Sequence, residues 1–151
     1  MATDRADKQQ IGLTQEGNDA IEPVAKEYFG GSQKEAYLFA ISFAIGADLD
    51  IVSAPQGGYT TKYNGIGTID PTGSVRELLE ILDIGEPDRP LATMEKLAEI
   101  GIREIAQRLS GNETMAEIMS NVVSGLPQTT QAERAFHAAM VAGDAQNERD
   151  R

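Results

Sequence analysis

The chain has 151 residues, with Asp+Glu 24 against Lys+Arg 13, a formal net charge of -11, one histidine and no cysteine or tryptophan. The missing cysteines exclude disulfides, thiolate catalysis and thiolate metal sites. The thin, scattered basic residues argue against wholesale non-specific binding to nucleic acid, which needs clustered Lys and Arg on the phosphates. At this length one core is expected, and with aromatics at 5% it must be aliphatic and alanine-rich. The acidity fits a solubilising surface, a high-salt source, or an acidic face that docks on a basic partner or mimics DNA.

The opening residues, MATDRADKQQ, are polar and aperiodic, so residues 1–10 are expected to form a disordered arm. They also lack the apolar stretch of a leader, and no apolar run approaches the roughly 20 residues that span a bilayer. The expectation is a cytoplasmic protein with no membrane partner. IGLTQEG (11–17) reads as a short strand ending at Gly17. Asn18 is then the expected N-cap of a helix to about Phe29, whose regular part starts nearer residue 22 because Pro23 lacks an amide hydrogen. Ile21, Val24, Ala25 and Tyr28 share one face of it, and Gly30-Gly31 ends it.

Ser32-Gln33-Lys34-Glu35 is a capping box that opens a second helix, which runs to Ile45 with Gly46 as its end signal. From Ala36 to Ile45 nine of ten positions are apolar or aromatic, broken only by Ser42. A helix apolar all round is buried on every side. Its cover is expected from helices 74–82 and 90–109 and from a second chain, which predicts a homodimer.

Residues 47–73 change character. DLDIVSAP holds one possible short strand, and Asn64-Gly65 between β-prone flanks predicts a hairpin with a type I′ turn. Helices resume at the capping box Ser74-Val75-Arg76-Glu77 and again at Pro90. In the second of these, Met94, Leu97, Ala98, Ile105 and Leu109 line one side, with Glu99–Arg103 and Glu104–Arg108 as i,i+4 pairs on the other. A short helix is expected at 112–123, and a last one from the Thr130 capping box into a charged tail at 143–151. The fold class is therefore mainly α. The expectation is a compact helical domain over 11–142, with five to six helices and a small β-hairpin insertion.

Catalytic signatures are missing. The single histidine, His137, lies far in sequence from any glycine-flanked serine, so a triad is not expected. No first shell for a metal assembles, since Asp48 and Asp50 of DLD read as a solvated turn. PQGGYTTKYNGIGT fails as a phosphate loop because Lys62 follows Thr61 and Gly65-Ile66-Gly67 lacks its βαβ context. No enzyme, cofactor or metal is expected.

The order of strand, helix 18–29, Gly31-Ser32 turn and apolar second helix resembles the ribbon-helix-helix family of DNA-binding proteins over residues 11–46. Leu13-Thr14 with Glu16 carries the strand end of that likeness. The resemblance implies a dimer that pairs its strands across two chains. It makes Lys8, Gln9, Gln10, Gln15, Gly31, Ser32 and Lys34 the candidate DNA contacts, through amide side chains and backbone or lysine contacts to phosphate. Residues 10–110, through KEAYLFAISFAIGADLD and IGTID, also resemble small accessory proteins of DNA phosphorothioation (Dnd-type) modification and restriction systems. That likeness implies a non-catalytic, DNA-associated component of a modification, defence or regulatory system, possessing a partner protein from the same operon. The alternative from composition is an acidic adaptor that docks on a protein and touches no nucleic acid.

Overall fold

A computed structural model describes residues 6–129. Strand β1 (Gln10–Leu13) leads into helices α1 (Gln15–Tyr28) and α2 (Gln33–Gly46). Strand β2 (Thr60–Asn64) follows, then α3 (Ser74–Leu82), α4 (Pro90–Ser110) and α5 (Met115–Thr129). The mainly helical class with a small two-stranded antiparallel element is as expected. The Thr130 capping box, His137 and the charged tail lie outside the described residues.

The two strands are not joined by a local turn. β1 pairs with β2 antiparallel, Ile11 opposite Tyr63 and Leu13 opposite Thr60, so the element closes across both intervening helices. At Asn64 the backbone has φ -72, not the positive φ that a type I′ turn requires. Its side chain instead takes the Gly67 amide at 2.7 Å, and Gly65–Ile69 form a wide π-type turn. Gly65 is there for proximity: a Cβ on it would lie 2.8 Å from the Leu91 side chain. The possible strand in DLDIVSAP is a 3-10 turn, Ile51–Ser53, capped by the Asp50 carboxylate on the Val52 amide.

Helix α1 begins four residues before the Asn18 cap expected from sequence. Thr14 is the N-cap, its hydroxyl taking the Gly17 amide at 3.2 Å. Asn18 sits in the first turn and uses its side-chain amide on Leu13 O and Thr60 Oγ1, tying helix to strands. The helix runs through Pro23, which faces solvent while Ile21, Val24 and Ala25 face the core. One missing hydrogen bond on the wet side is tolerable because the buried side of the turn stays packed. At the far end, the Gly31 amide returns to Ala25 O at 2.9 Å with Gly30 and Gly31 both at positive φ.

Ser32 caps α2 as expected, its hydroxyl accepting the Glu35 amide at 3.2 Å. The helix is nonetheless not buried all round. Ala36, Tyr37, Ala40, Ile41, Phe43 and Ala44 are buried, whereas Ser42 is exposed and Leu38, Phe39 and Ile45 are half-buried. Its main cover comes from α4, α1 and α5, rather than from α3. Alanines on α2 meet Gly101 on α4 so closely that a Cβ there would lie 2.2 Å from Ala40 O. Phe39 rests on Phe29, ring centroids 5.3 Å apart.

Helix α4 is the axis of the fold, touching β1, α1, α2, α3 and α5. Met94, Leu97, Ala98 and Ile105 are in the core as the periodicity predicts, and Leu109 packs at its edge. Its first turn is capped from the N-terminal segment: the Asp7 carboxylate takes the Leu91 and Ala92 amides at 3.0 and 3.1 Å. Residues 6–10 are therefore docked rather than a free arm. Helix α3 is likewise not held by the Ser74 box. The buried Asp70 carboxylate takes the Val75 and Arg76 amides at 3.1 Å each and the Arg76 Nε at 2.9 Å.

The burial pattern of α2 separates two substitutions that its composition would rank alike. Ile41→Asp should abolish the helical circular-dichroism signal, because a buried carboxylate costs several kcal/mol of a total stability of about 5–15 kcal/mol. Phe39→Asp should keep most of that signal, since its carboxylate can reach water.

Candidate interaction surface

The polar centre of the protein lies where β1 crosses α4. A strand has two hydrogen-bonding edges, and β2 fills one of those on β1. The other edge offers the Gly12 and Thr14 amides, about 7 Å apart along the strand. Glu95 and Glu99, one turn apart on α4, present carboxylates about 6 Å apart along the helix axis. The two spacings match. Glu95 Oε2 takes the Gly12 amide at 2.9 Å, Glu99 Oε1 takes the Thr14 amide at 2.9 Å, and Glu99 Oε2 takes the Thr14 hydroxyl at 2.7 Å. The Tyr37 hydroxyl completes the edge by donating to Gly12 O at 3.1 Å.

Both carboxylates are out of water, Glu99 at 0% exposure, and both have a cation. Lys8 reaches the second oxygen of Glu95, and its ammonium also lies 5.0 Å from the Tyr59 ring centroid. Arg103 pairs with Glu99 through Nε, with Glu16 through Nη1 at 3.0 Å, and donates from Nη2 to the Thr14 hydroxyl. Two glycines make room. A Cβ at Gly12 would strike Thr60 O, and one at Gly17 would lie 2.3 Å from Glu99 Oε1. Burial, with the nearby Glu95 charge next, pushes the Tyr37 hydroxyl well above its ordinary pKa. Tyr59 is raised by burial and by Glu99 and Glu95, against a lowering from Arg103.

This network is structural in its chemistry. Every carboxylate oxygen accepts a hydrogen bond, so neither glutamate is poised to move a proton to a ligand. Among the described residues no group of three or more His, Asp or Glu side chains is placed to hold a metal ion. The i,i+4 spacing predicts Glu99–Arg103 as a surface pair like Glu104–Arg108. In fact Glu99 is at the core, and Arg108 pairs with Glu113 at 2.7 Å. The local pattern gives no clue to this, because the residues that share the helix face of Glu99 at i−4, i−3 and i+4 are Glu95, Lys96 and Arg103.

The candidate DNA contacts fare unevenly. Lys8 is committed to Glu95, and the turn amides of Gly31 and Ser32 are taken by Ala25 O and Phe29 O. The Gln9 carbonyl holds the Gly65 amide, while its side chain and that of Gln10 are exposed. Gln15 bonds Asp19 at 2.9 Å, and Lys34 is exposed in the first turn of α2. The seven residues do not form one basic surface. Because β2 and the glutamates occupy both edges of β1, the strand has no free edge to pair with a second chain as a ribbon-helix-helix dimer does.

No protein-family model, no curated protein and no solved structure matches the chain. Among the described residues no helix is long and apolar enough to cross a membrane. The outward surface is acidic, and among its open concavities is a groove of about 590 Å³ between α3 and the loop that leads to α4.

Two outcomes follow from the network. Glu99→Ala should destabilise the fold by about 3 kcal/mol in urea titration, because it strands the buried Thr14 amide and removes the buried one of the two carboxylates that hold Arg103. Glu104→Ala, on the same helix, should stay within about 0.5 kcal/mol. In alkali, the raised pKa values of Tyr37 and Tyr59 mean that the fold favours their protonated forms. That contribution is whole below the unfolded tyrosine value of about 10 and is lost as pH climbs toward the folded values. Tyrosinate absorbance of these two residues should therefore appear together with loss of circular dichroism, and ionisation in an intact fold would contradict it.

Proposed function

We propose that this protein is a non-catalytic acidic adaptor that docks on a protein partner carrying basic residues and makes no direct contact with nucleic acid. The observation that carries the reading is the fate of its cations. Every arginine among the described residues is paired with a carboxylate of the same chain: Arg76 with Asp70, Arg89 with Glu86, Arg103 with Glu99 and Glu16, and Arg108 with Glu113. Lys8, the lysine expected to lead a DNA-facing strand, is held by Glu95. Phosphate binding draws its affinity from cations free to displace counterions; here the arginines and Lys8 are engaged internally, and the exposed lysines Lys26, Lys34 and Lys62 are scattered over α1, α2 and β2. By contrast Glu22, Glu27, Glu77 and Glu80 are exposed and pair with no arginine among the described residues.

In a DNA modification or defence system of the kind that the resemblance implies, such a protein would act through the other proteins of the system. The reading needs no second copy to complete the core, because α1, α4 and α5 cover α2 within one chain. Direct DNA reading would have to rest on the exposed side chains of Gln9, Gln10, Gln15 and Lys34.

Fluorescence anisotropy of a labelled duplex, titrated with the full chain at low and at physiological salt, separates the two. The expected result is no binding at either concentration. Binding that weakens steeply with salt would overturn the adaptor reading in favour of DNA contact. Light scattering on the same sample, at micromolar concentration, is expected to give a monomer.

A further inference from the structure

Helix α3 touches the rest of the fold mainly through α4. Its nine residues present three distinct sides. Leu79 is buried at 3% exposure and anchors the helix. Leu78 and Ile81, one turn apart, face outward at 40% and 66% exposure. Glu77, Glu80 and Asp83 line the 590 Å³ groove together with Glu86 from the following loop, and the only cation on its walls, Arg76, is committed to Asp70. The other exposed large hydrophobic side chains among the described residues, Tyr28, Val52 and Ile66, stand singly on different elements, whereas Leu78 and Ile81 stand together on one helix that also borders an acidic groove.

We propose that this side of α3 is the docking site of the adaptor, and that its occupant is a basic amphipathic helix of a partner protein. The inference rests on the adaptor reading and assigns it a place. The partner's apolar side chains cover Leu78 and Ile81, and its Arg or Lys side chains enter the groove against Glu77, Glu80 and Asp83. Arginine suits the groove best, since its planar fork bonds carboxylates two at a time. Charge selects this occupant over a second copy of the chain, whose own acidic rim would meet like charge. The Asp70 clamp on the Val75 and Arg76 amides fixes the first turn of α3, so the helix is presented ready-formed.

The test uses the full chain and a labelled synthetic peptide of about 18 residues, with leucines at helical i, i+3, i+4, i+7 spacing and arginines on the other face. A scrambled peptide of the same composition is the control. The native chain is expected to bind the amphipathic peptide at least about tenfold more tightly than the scrambled one. The double variant Leu78→Ser/Ile81→Ser, and separately Glu80→Lys, should each weaken binding about tenfold or more with unchanged circular dichroism. Glu27→Lys, the same charge change on α1, should not. Equal binding of the two peptides, no binding of either, or full binding by the double variant would each overturn the α3 site. So would a native dimer that the double variant converts to a monomer, which would assign the face to self-association. Failure of the underlying adaptor reading is read separately, as salt-dependent binding of duplex DNA by the native chain.

Discussion

The rest of this fold depends on one match of spacings, that between alternate amides of β1 and carboxylates one turn apart on α4. A lone two-stranded ribbon is unstable in water, and a buried strand edge without partners leaves each stranded amide costing about 1–3 kcal/mol. Most proteins solve this with a further strand. Here Glu95 and Glu99 take its place, so a helix serves as the third strand of the sheet. Everything nearby is fitted to that substitution. Gly12 lies flat against Thr60, Gly17 leaves space for Glu99, and Tyr37 fills the one remaining carbonyl position. The arrangement also removes the exposed edge through which small sheets aggregate.

The same arrangement shapes the surface. Two buried negative charges must be balanced, and the balance is drawn from Lys8 and Arg103, cations that would otherwise be available outside. The other arginines among the described residues are engaged with Asp70, Glu86 and Glu113. The acidity of the exterior is thus partly a consequence of how the interior is held together. A protein built this way offers a partner carboxylates and a few uncovered aliphatic side chains, Leu78 and Ile81 on α3 among them.

How much of this was legible depended on the range of the interaction. The start of α2 at Ser32 is a local matter of its cap, and Pro90 marks that of α4 by its fixed φ, although the amides there are capped from distant Asp7. The start of α1 is not local, because Thr14 and Asn18 are equally good caps and the choice is made by Glu99, far along the chain, docking on Thr14. Asn64-Gly65 carries the letters of a hairpin turn, but β2 finds its partner in β1 and Gly65 is spent on contact with Leu91. Glu99–Arg103 has the spacing of a surface pair, and spacing alone does not report burial. For the candidate DNA residues, type was readable and availability was not: nothing in the letters Gly31-Ser32 says that both amides are already bonded.

The contacts that seal β1 join residues 7–14 to residues 91–103, more than eighty positions apart. During synthesis the first strand therefore leaves the ribosome long before its α4 partners exist, and until Arg103 has emerged one of its edges must stay in water. Local helices α1 and α2 can form in that interval, but the layer they pack on cannot. The segment around β1 must therefore stay partly open until α4 has been made, and the strand edge and the helix cap are then closed in one step.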